Sequence, residues 1–249
     1  LVGSEMCIRD RYFALVHNCL VFMEYYQGRT YFYYPLSMGS AEDEAAALDE
    51  IERYCRENNV RLHYTSVPSE KLCAMVKRYG AELRMNNKRR WRDYLYNAQD
   101  FVTYGGKKFS GQRNHVNKFK KLYPQFEFCE LNGLNRDEIL EFLKEFERRQ
   151  LDKGTAIARE EFQSVFKLTD YIDEFTLKAG GIRVDGKLVS YSVGEVCGDQ
   201  LIIHVEKALT QYEGIYATTA HEFAKHYVTD AIAYINSCLL YTSDAADEL

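Results

Sequence analysis

His204 and Glu206 sit two positions apart in the run Gln200–Glu206, whose composition reads as a β-strand, so a regular pleat would project both from one face. A carboxylate in that place can accept the proton of an attacking amine or hydroxyl, and an imidazole beside it can tune or relay the proton. The plainer alternative is a buried, hydrogen-bonded pair or two unrelated surface residues. Tyr191, which shares a face with Val193 and Glu195 on the preceding strand, is the candidate acid for a leaving group; as one of 20 tyrosines it competes with a simple core role.

A second constellation occupies residues 105–121. Phe109, Val116, Phe119 and Tyr123 recur at helical spacing, Arg113, Asn117, Lys120 and Lys121 fall on another side, and Pro124 stops the pattern. From Arg84 to Lys121 there are eleven Lys or Arg against Asp93 and Asp100, a local excess of +9 in a chain of net charge −5. Such asymmetry favours a phosphate-bearing partner, a tRNA or another polyanion, through 84–121. Trp91 among Arg89, Arg90 and Arg92 can stack on a base or serve as a core anchor. A solvated amphipathic helix explains the same residues without a ligand.

The elements that must position these groups follow from periodicity. Residues 13–34 read as a β-meander, Ser40 and Ser69 open two helices, and Arg61–Thr65 is a strand between them. After a strand at 91–97 and the basic helix come a strand at 126–131 and helices at 136–152 and 160–175. Asp185-Gly186 joins strands 177–184 and 187–195 as a tight hairpin, and 200–206, 216–226 and 231–235 complete a β-β-β-α-β run. This is an α/β (α+β) chain with room for two small domains, 12–97 and 98–237.

Both ends read as translated sequencing adapter. Met6-Cys7-Ile8-Arg9-Asp10 and Cys238-Leu239-Leu240-Tyr241-Thr242 can be encoded by one DNA sequence and its reverse complement, so 1–11 and 238–249 are expected to add nothing to the packing. Of seven cysteines, Cys19, Cys55, Cys73, Cys129 and Cys197 then remain, an odd and widely spaced set that points to reduced thiols in a cytoplasmic protein. No apolar run reaches the roughly 18–20 residues of a membrane span, and the scattered histidines give no metal-ligand spacing.

Taken together, the 105–121 segment, His-Val-Glu-Lys-Ala at 204–208 and Gly-Ile-Tyr-Ala-Thr-Thr-Ala-His-Glu-Phe-Ala at 214–224 resemble the phosphatidylglycerol lysyltransferase C-terminal domain family, over about Tyr12 to Asn236. The resemblance implies two tandem GNAT-like acyltransferase domains, the first cut at its N-terminal side and the second at its C-terminal side. It also implies transfer of an acyl or aminoacyl group to an amine or hydroxyl, with acyl-CoA or aminoacyl-tRNA as co-substrate and no tightly bound cofactor. On that reading His204 and Glu206 form the base pair. Lys107, Lys108, Arg113, Asn114, Asn117 and Lys118, with Gln211, Gly214 and the amides after them, would hold the carrier. Tyr216 and Glu213 depart from the usual small, neutral CoA cradle, which disfavours CoA. A non-catalytic module binding tRNA or an anionic surface is the alternative.

Overall fold

The computed structural model describes residues 10–26, 28–86, 93–152 and 159–237. Two compact units meet at 87/88. Trp91 and the arginines around it fall outside the described residues, as do 1–9 and 238–249.

In the first unit, β1 (Asp10–Val16), β2 (Cys19–Tyr26) and β3 (Arg29–Tyr33) form an antiparallel meander; β4 (Leu36–Ser37) adds to β2. Strand β1 corrects one expectation: Asp10 and Arg11 pair with Tyr25 and Glu24, and Arg11 Nε lies 3.6 Å from the Glu24 carboxylate. Helix α1 (Ala41–Glu57) starts where the Ser40 hydroxyl accepts the Asp43 amide while the Asp43 carboxylate accepts the Ser40 amide, a reciprocal capping box. It buries Ala47, Leu48, Ile51 and Cys55. The chain then makes β5 (Tyr64–Thr65), parallel to β3, and α2 (Leu72–Tyr79).

The second unit holds the chemistry-bearing residues. Its elements are β6 (Leu95–Asn97), α3 (Ala98–Thr103), α4 (Ser110–Leu122), β7 (Glu127–Leu131), α5 (Arg136–Asp152), α6 (Arg159–Asp170), β8 (Lys178–Val184), β9 (Lys187–Leu188), β10 (Ser190–Cys197), β11 (Gln200–Ala208), α7 (Ile215–Tyr227) and β12 (Tyr234–Asn236). The sheet runs β6-β12-β11-β10-β8-β7, with β9 on β8; only the β11–β12 pairing is parallel. Because β6 pairs with β12, residues 95–97 belong here and the domain boundary lies ten residues earlier than the expected 97/98. Asp185 and Gly186 take the left-handed backbone that a primed hairpin turn requires (φ 51° and 77°).

Helices cover both faces of this sheet. On one, Phe142, Leu143 and Phe146 of α5 and Phe162, Val165 and Leu168 of α6 pack with Ile182, Tyr191, Val193 and Val205. On the other, Phe101 and Tyr104 at α3, Val116 of α4, and Ala217 and Phe223 of α7 pack with Leu201 and Ile235. Each unit thus repeats one connectivity: three antiparallel strands, a helix, and a strand parallel to the third.

Gly214 fixes how closely α4 approaches α7. Its φ is +84°, and a Cβ there would stand 2.4 Å from the His115 carbonyl oxygen. Gly214→Ala meets both the left-handed penalty of about 1–2 kcal/mol and a backbone clash that only separation of the helices relieves. The expected loss is about 2–4 kcal/mol, read as a lower urea midpoint. An unchanged midpoint would remove the close approach from the account.

Candidate functional site

Strand β11 is not regular. Against β10, Val193 pairs with Val205 but Gly194 pairs with Ile203, so His204 is an extra residue left out of the ladder, a β-bulge. Gly194 accommodates the kink, since a Cβ there would lie 2.6 Å from the Ile202 carbonyl oxygen. The bulge shifts the two-residue alternation by one. Glu206, opposite Ser192, faces the α7 side, where the Thr219 hydroxyl donates to the neighbouring Ser190 at 2.7 Å. His204 is carried to the other face, that of Glu195, and its Nε2 is 3.3 Å from Glu195 Oε1.

This overturns the expected pairing of His204 with Glu206, because the expectation assumed an unbroken pleat. The imidazole partner is Glu195 instead. The His204 side chain is 4% exposed, yet neither ring nitrogen makes an aligned hydrogen bond, so the contact with Glu195 is a close charge approach and not a satisfied bond. Burial lowers the His204 pKa below its usual 6.5, with Glu195 pulling the other way.

Glu206 has a different environment. It keeps a narrow opening to solvent, but its carboxyl is enclosed by protein, and this desolvation pushes its pKa up to about 7 against the opposing charge of Lys207. Tyr104 is near enough for the Glu206 charge to add to the burial that raises its phenol pKa. The Tyr104 ring stacks on His221 at 5.0 Å, and its hydroxyl donates to the Ala217 carbonyl at 3.2 Å. His221 Nδ1 lies 2.8 Å from the Phe101 carbonyl oxygen; burial lowers its pKa, and this hydrogen bond opposes that. The sequence gives His221 and Tyr104 no role, because residues 117 positions apart share no local signal.

Tyr191 is removed as an acid. It is fully buried under α5 and α6, its hydroxyl is 3.0 Å from the Thr169 hydroxyl, and burial raises its pKa. Its ring is enclosed on every side and its hydroxyl already has a partner, so Tyr191 cannot meet a substrate.

The expected carrier clamp is largely spent on the fold. Arg113 donates to the carbonyls of Tyr104 and Gly106, the latter at 2.6 Å, and so fixes the turn before α4. Lys108 pairs with Asp100 at 2.8 Å, Lys120 with Glu222 at 2.9 Å, and Lys118 with Glu213. The last pair also neutralises the charge that Glu213 would otherwise set against a pyrophosphate. Lys107, Asn114 and Asn117 are exposed. Gly214 closes the start of α7 against α4 as described, while Gln211 is exposed and lines a cavity beside α5.

The strand order, the bulged β11 and the helix and parallel strand that follow it define a mixed α/β architecture. The chain belongs to the family of the phosphatidylglycerol lysyltransferase C-terminal domain, whose profile matches residues 6–245. Among solved structures it is similar to a conserved protein of unknown function from Bacteroides thetaiotaomicron VPI-5482, with TM-score 0.85 and 23% identity over 98% of this chain and 84% of that one. It is also similar to the C-terminal domain of a putative lysylphosphatidylglycerol synthetase from Agrobacterium fabrum, with TM-score 0.69 and 13% identity over 96% of this chain and 73% of that one. A comparison with curated proteins finds no match. Among the described residues, no helix is long and apolar enough to cross a membrane.

Proposed function

We propose that this chain transfers an acyl or aminoacyl group from an activated carrier to an amine or hydroxyl, with His204 as the proton acceptor and Glu195 as the residue that orients and polarises it. The carrying observation is the buried imidazole on the bulge, 3.3 Å from a carboxylate and without an aligned hydrogen bond at either nitrogen. In the reaction the nucleophile loses its proton to His204 and bonds to the carbonyl carbon. The ester or thioester bond breaks, and the proton passes to the departing oxygen or sulfur. A bulge also leaves backbone polar groups outside the ladder, and an unpaired N–H beside the reacting carbonyl is suited to the developing oxyanion. Family membership supports transfer chemistry in general; the acceptor, which includes the lipid of the family's name, is part of the proposal.

His204 must be neutral to act. Because burial lowers its pKa, kcat/KM is expected to rise with pH through a value below 6.5 and to be level by neutrality. Glu195→Gln removes the interaction that raises that pKa, so the acid limb should move to lower pH. A limb that stays in place in this variant would separate Glu195 from the reacting histidine.

The donor is an acyl-CoA or an aminoacyl-tRNA, and salt separates them. With tRNA, log affinity should fall linearly with log salt, each phosphate contact adding about 0.7–0.9 to the slope. Since Arg113, Lys118 and Lys120 are held by internal partners, replacing exposed Lys107 and Lys121 should flatten the slope more than replacing Arg113. Tight, salt-insensitive acetyl-CoA binding would select the other donor.

A further inference from the structure

The hairpin of β1 and β2 leaves one backbone edge of the first unit open. His17 and Asn18, at φ 46° and 54°, make a two-residue turn, so Val16 and Cys19 beside it exchange both backbone hydrogen bonds, as do Ala14 with Val21 and Tyr12 with Met23. The amides and carbonyls of Phe13 and Leu15 therefore point away from β2, along the outer edge of a sheet that β1 ends. Phe13 is 76% exposed and Leu15 66%, and Tyr12 and Ala14 on the opposite face are exposed as well.

The other sheet ends among the described residues are blunted. Strand β7 presents exposed Glu127 and Glu130, while β5 has two residues and β6 three. The second unit also shows what an edge in this position accepts. Its β8, β10, β11, α7 and β12 repeat the order of β1, β2, β3, α1 and β5, so β1 corresponds to β8, and β8 carries a further antiparallel strand, β7, on its outer edge.

We propose that the free edge of β1 pairs antiparallel with β1 of a second copy of this chain, joining two first units into one continuous sheet. A two-fold axis through Phe13 overlaps the strand along its whole length and lets the outward amide and carbonyl of Phe13 bond to those of the partner's Phe13. In that register Tyr12 meets the partner's Ala14, large against small. Residues Tyr12–Val16 carry no charge, so identical strands meet without like-charge opposition, and nothing there selects an acidic or basic partner. The exposed side chains of Tyr12, Phe13 and Leu15 offer on the order of 400 Å² per copy, about half of what a standard stable interface buries on each side. The dimer therefore forms at high concentration and dissociates on dilution. It is independent of His204 and of the transfer chemistry.

Sedimentation of the full chain from micromolar to millimolar concentration tests this. A reversible monomer–dimer equilibrium is expected, with no larger species, because two-fold edge pairing closes on itself. Phe13→Lys sets two ammonium groups opposite each other and removes an apolar contact, and should weaken the dimer at least about tenfold. Leu15→Pro removes an outward N–H and leaves the bonds to β2 in place; since the axis repeats the loss, the dimer should weaken about 10- to 100-fold. Should Leu15→Pro disturb β1 itself, Phe13→Lys at its exposed position still gives a folded protein to measure. Val76→Lys, at an exposed apolar position on α2, should leave dimerisation unchanged. A chain that stays monomeric at millimolar concentration, a dimer indifferent to both β1 variants, one weakened as much by Val76→Lys, or assembly beyond two copies would overturn the proposal.

Discussion

His204→Gln is expected to lower kcat/KM for acyl or aminoacyl transfer by about 10²–10⁴, the usual contribution of a positioned general base. Glutamine keeps a polar side chain of similar reach but cannot take a proton at neutral pH. The loss should fall mainly on kcat, since the imidazole acts as the nucleophile is deprotonated and not in holding the ground state. Thermal stability should change little or rise, because the histidine is buried with its nitrogens unsatisfied. The same measurement on Glu206→Gln discriminates between the two faces of β11. If the glutamate were the base, its replacement would cause the large loss and His204→Gln would not. Equal, severe losses in both would return them to one shared site and contradict the bulge as the reason they are apart.

Most of the elements of the chain are legible because their signals are local. The Ser40 cap, the Asp185-Gly186 turn and the apolar spacing of Val116 and Phe119 each depend on residues within a few positions, and each has the expected structure. The arrangement of the site was not legible for the same reason. One inserted residue in β11 exchanges the face of every side chain beyond it, and nothing in the run Leu201–Lys207 marks where the insertion falls. Gly194, which accommodates the kink, sits on the neighbouring strand. The basic segment forms the expected helix, but its charges have partners that no local pattern shows: Glu213 and Glu222 lie about a hundred positions away. Helix α3, six residues long, is too short to show a periodicity beside the longer pattern of α4. The face on which each polar residue lands depends on the register, which no local pattern fixes.

The second large effect concerns stability and has the opposite chemical origin: Glu206→Gln should stabilise the protein at pH 8 and have almost no effect near pH 4.5. In the unfolded chain this carboxyl titrates near 4.5; in the fold, desolvation pushes it up to about 7. Below pH 4.5 it is protonated in both states and costs nothing. Between 4.5 and 7 the unfolded state ionises while the folded state resists, so stability falls as pH rises, and the full penalty is present above 7. At about 1.4 kcal/mol per pKa unit, the cost at pH 8 is about 2–3 kcal/mol after allowance for the residue's partial access to solvent. Glutamine carries no charge to desolvate and fills nearly the same volume, so the variant escapes this loss. Other carboxylates, such as Glu145 with its lowered pKa, titrate in both proteins and cancel in the difference. Urea unfolding of the two proteins at pH 4.5, 6 and 8 should therefore show midpoints that coincide at the acid end and separate progressively above it. A gap of constant size across the three pH values would assign the effect to packing, and a variant less stable at pH 8 would mean that ionised Glu206 has a partner strong enough to repay its burial.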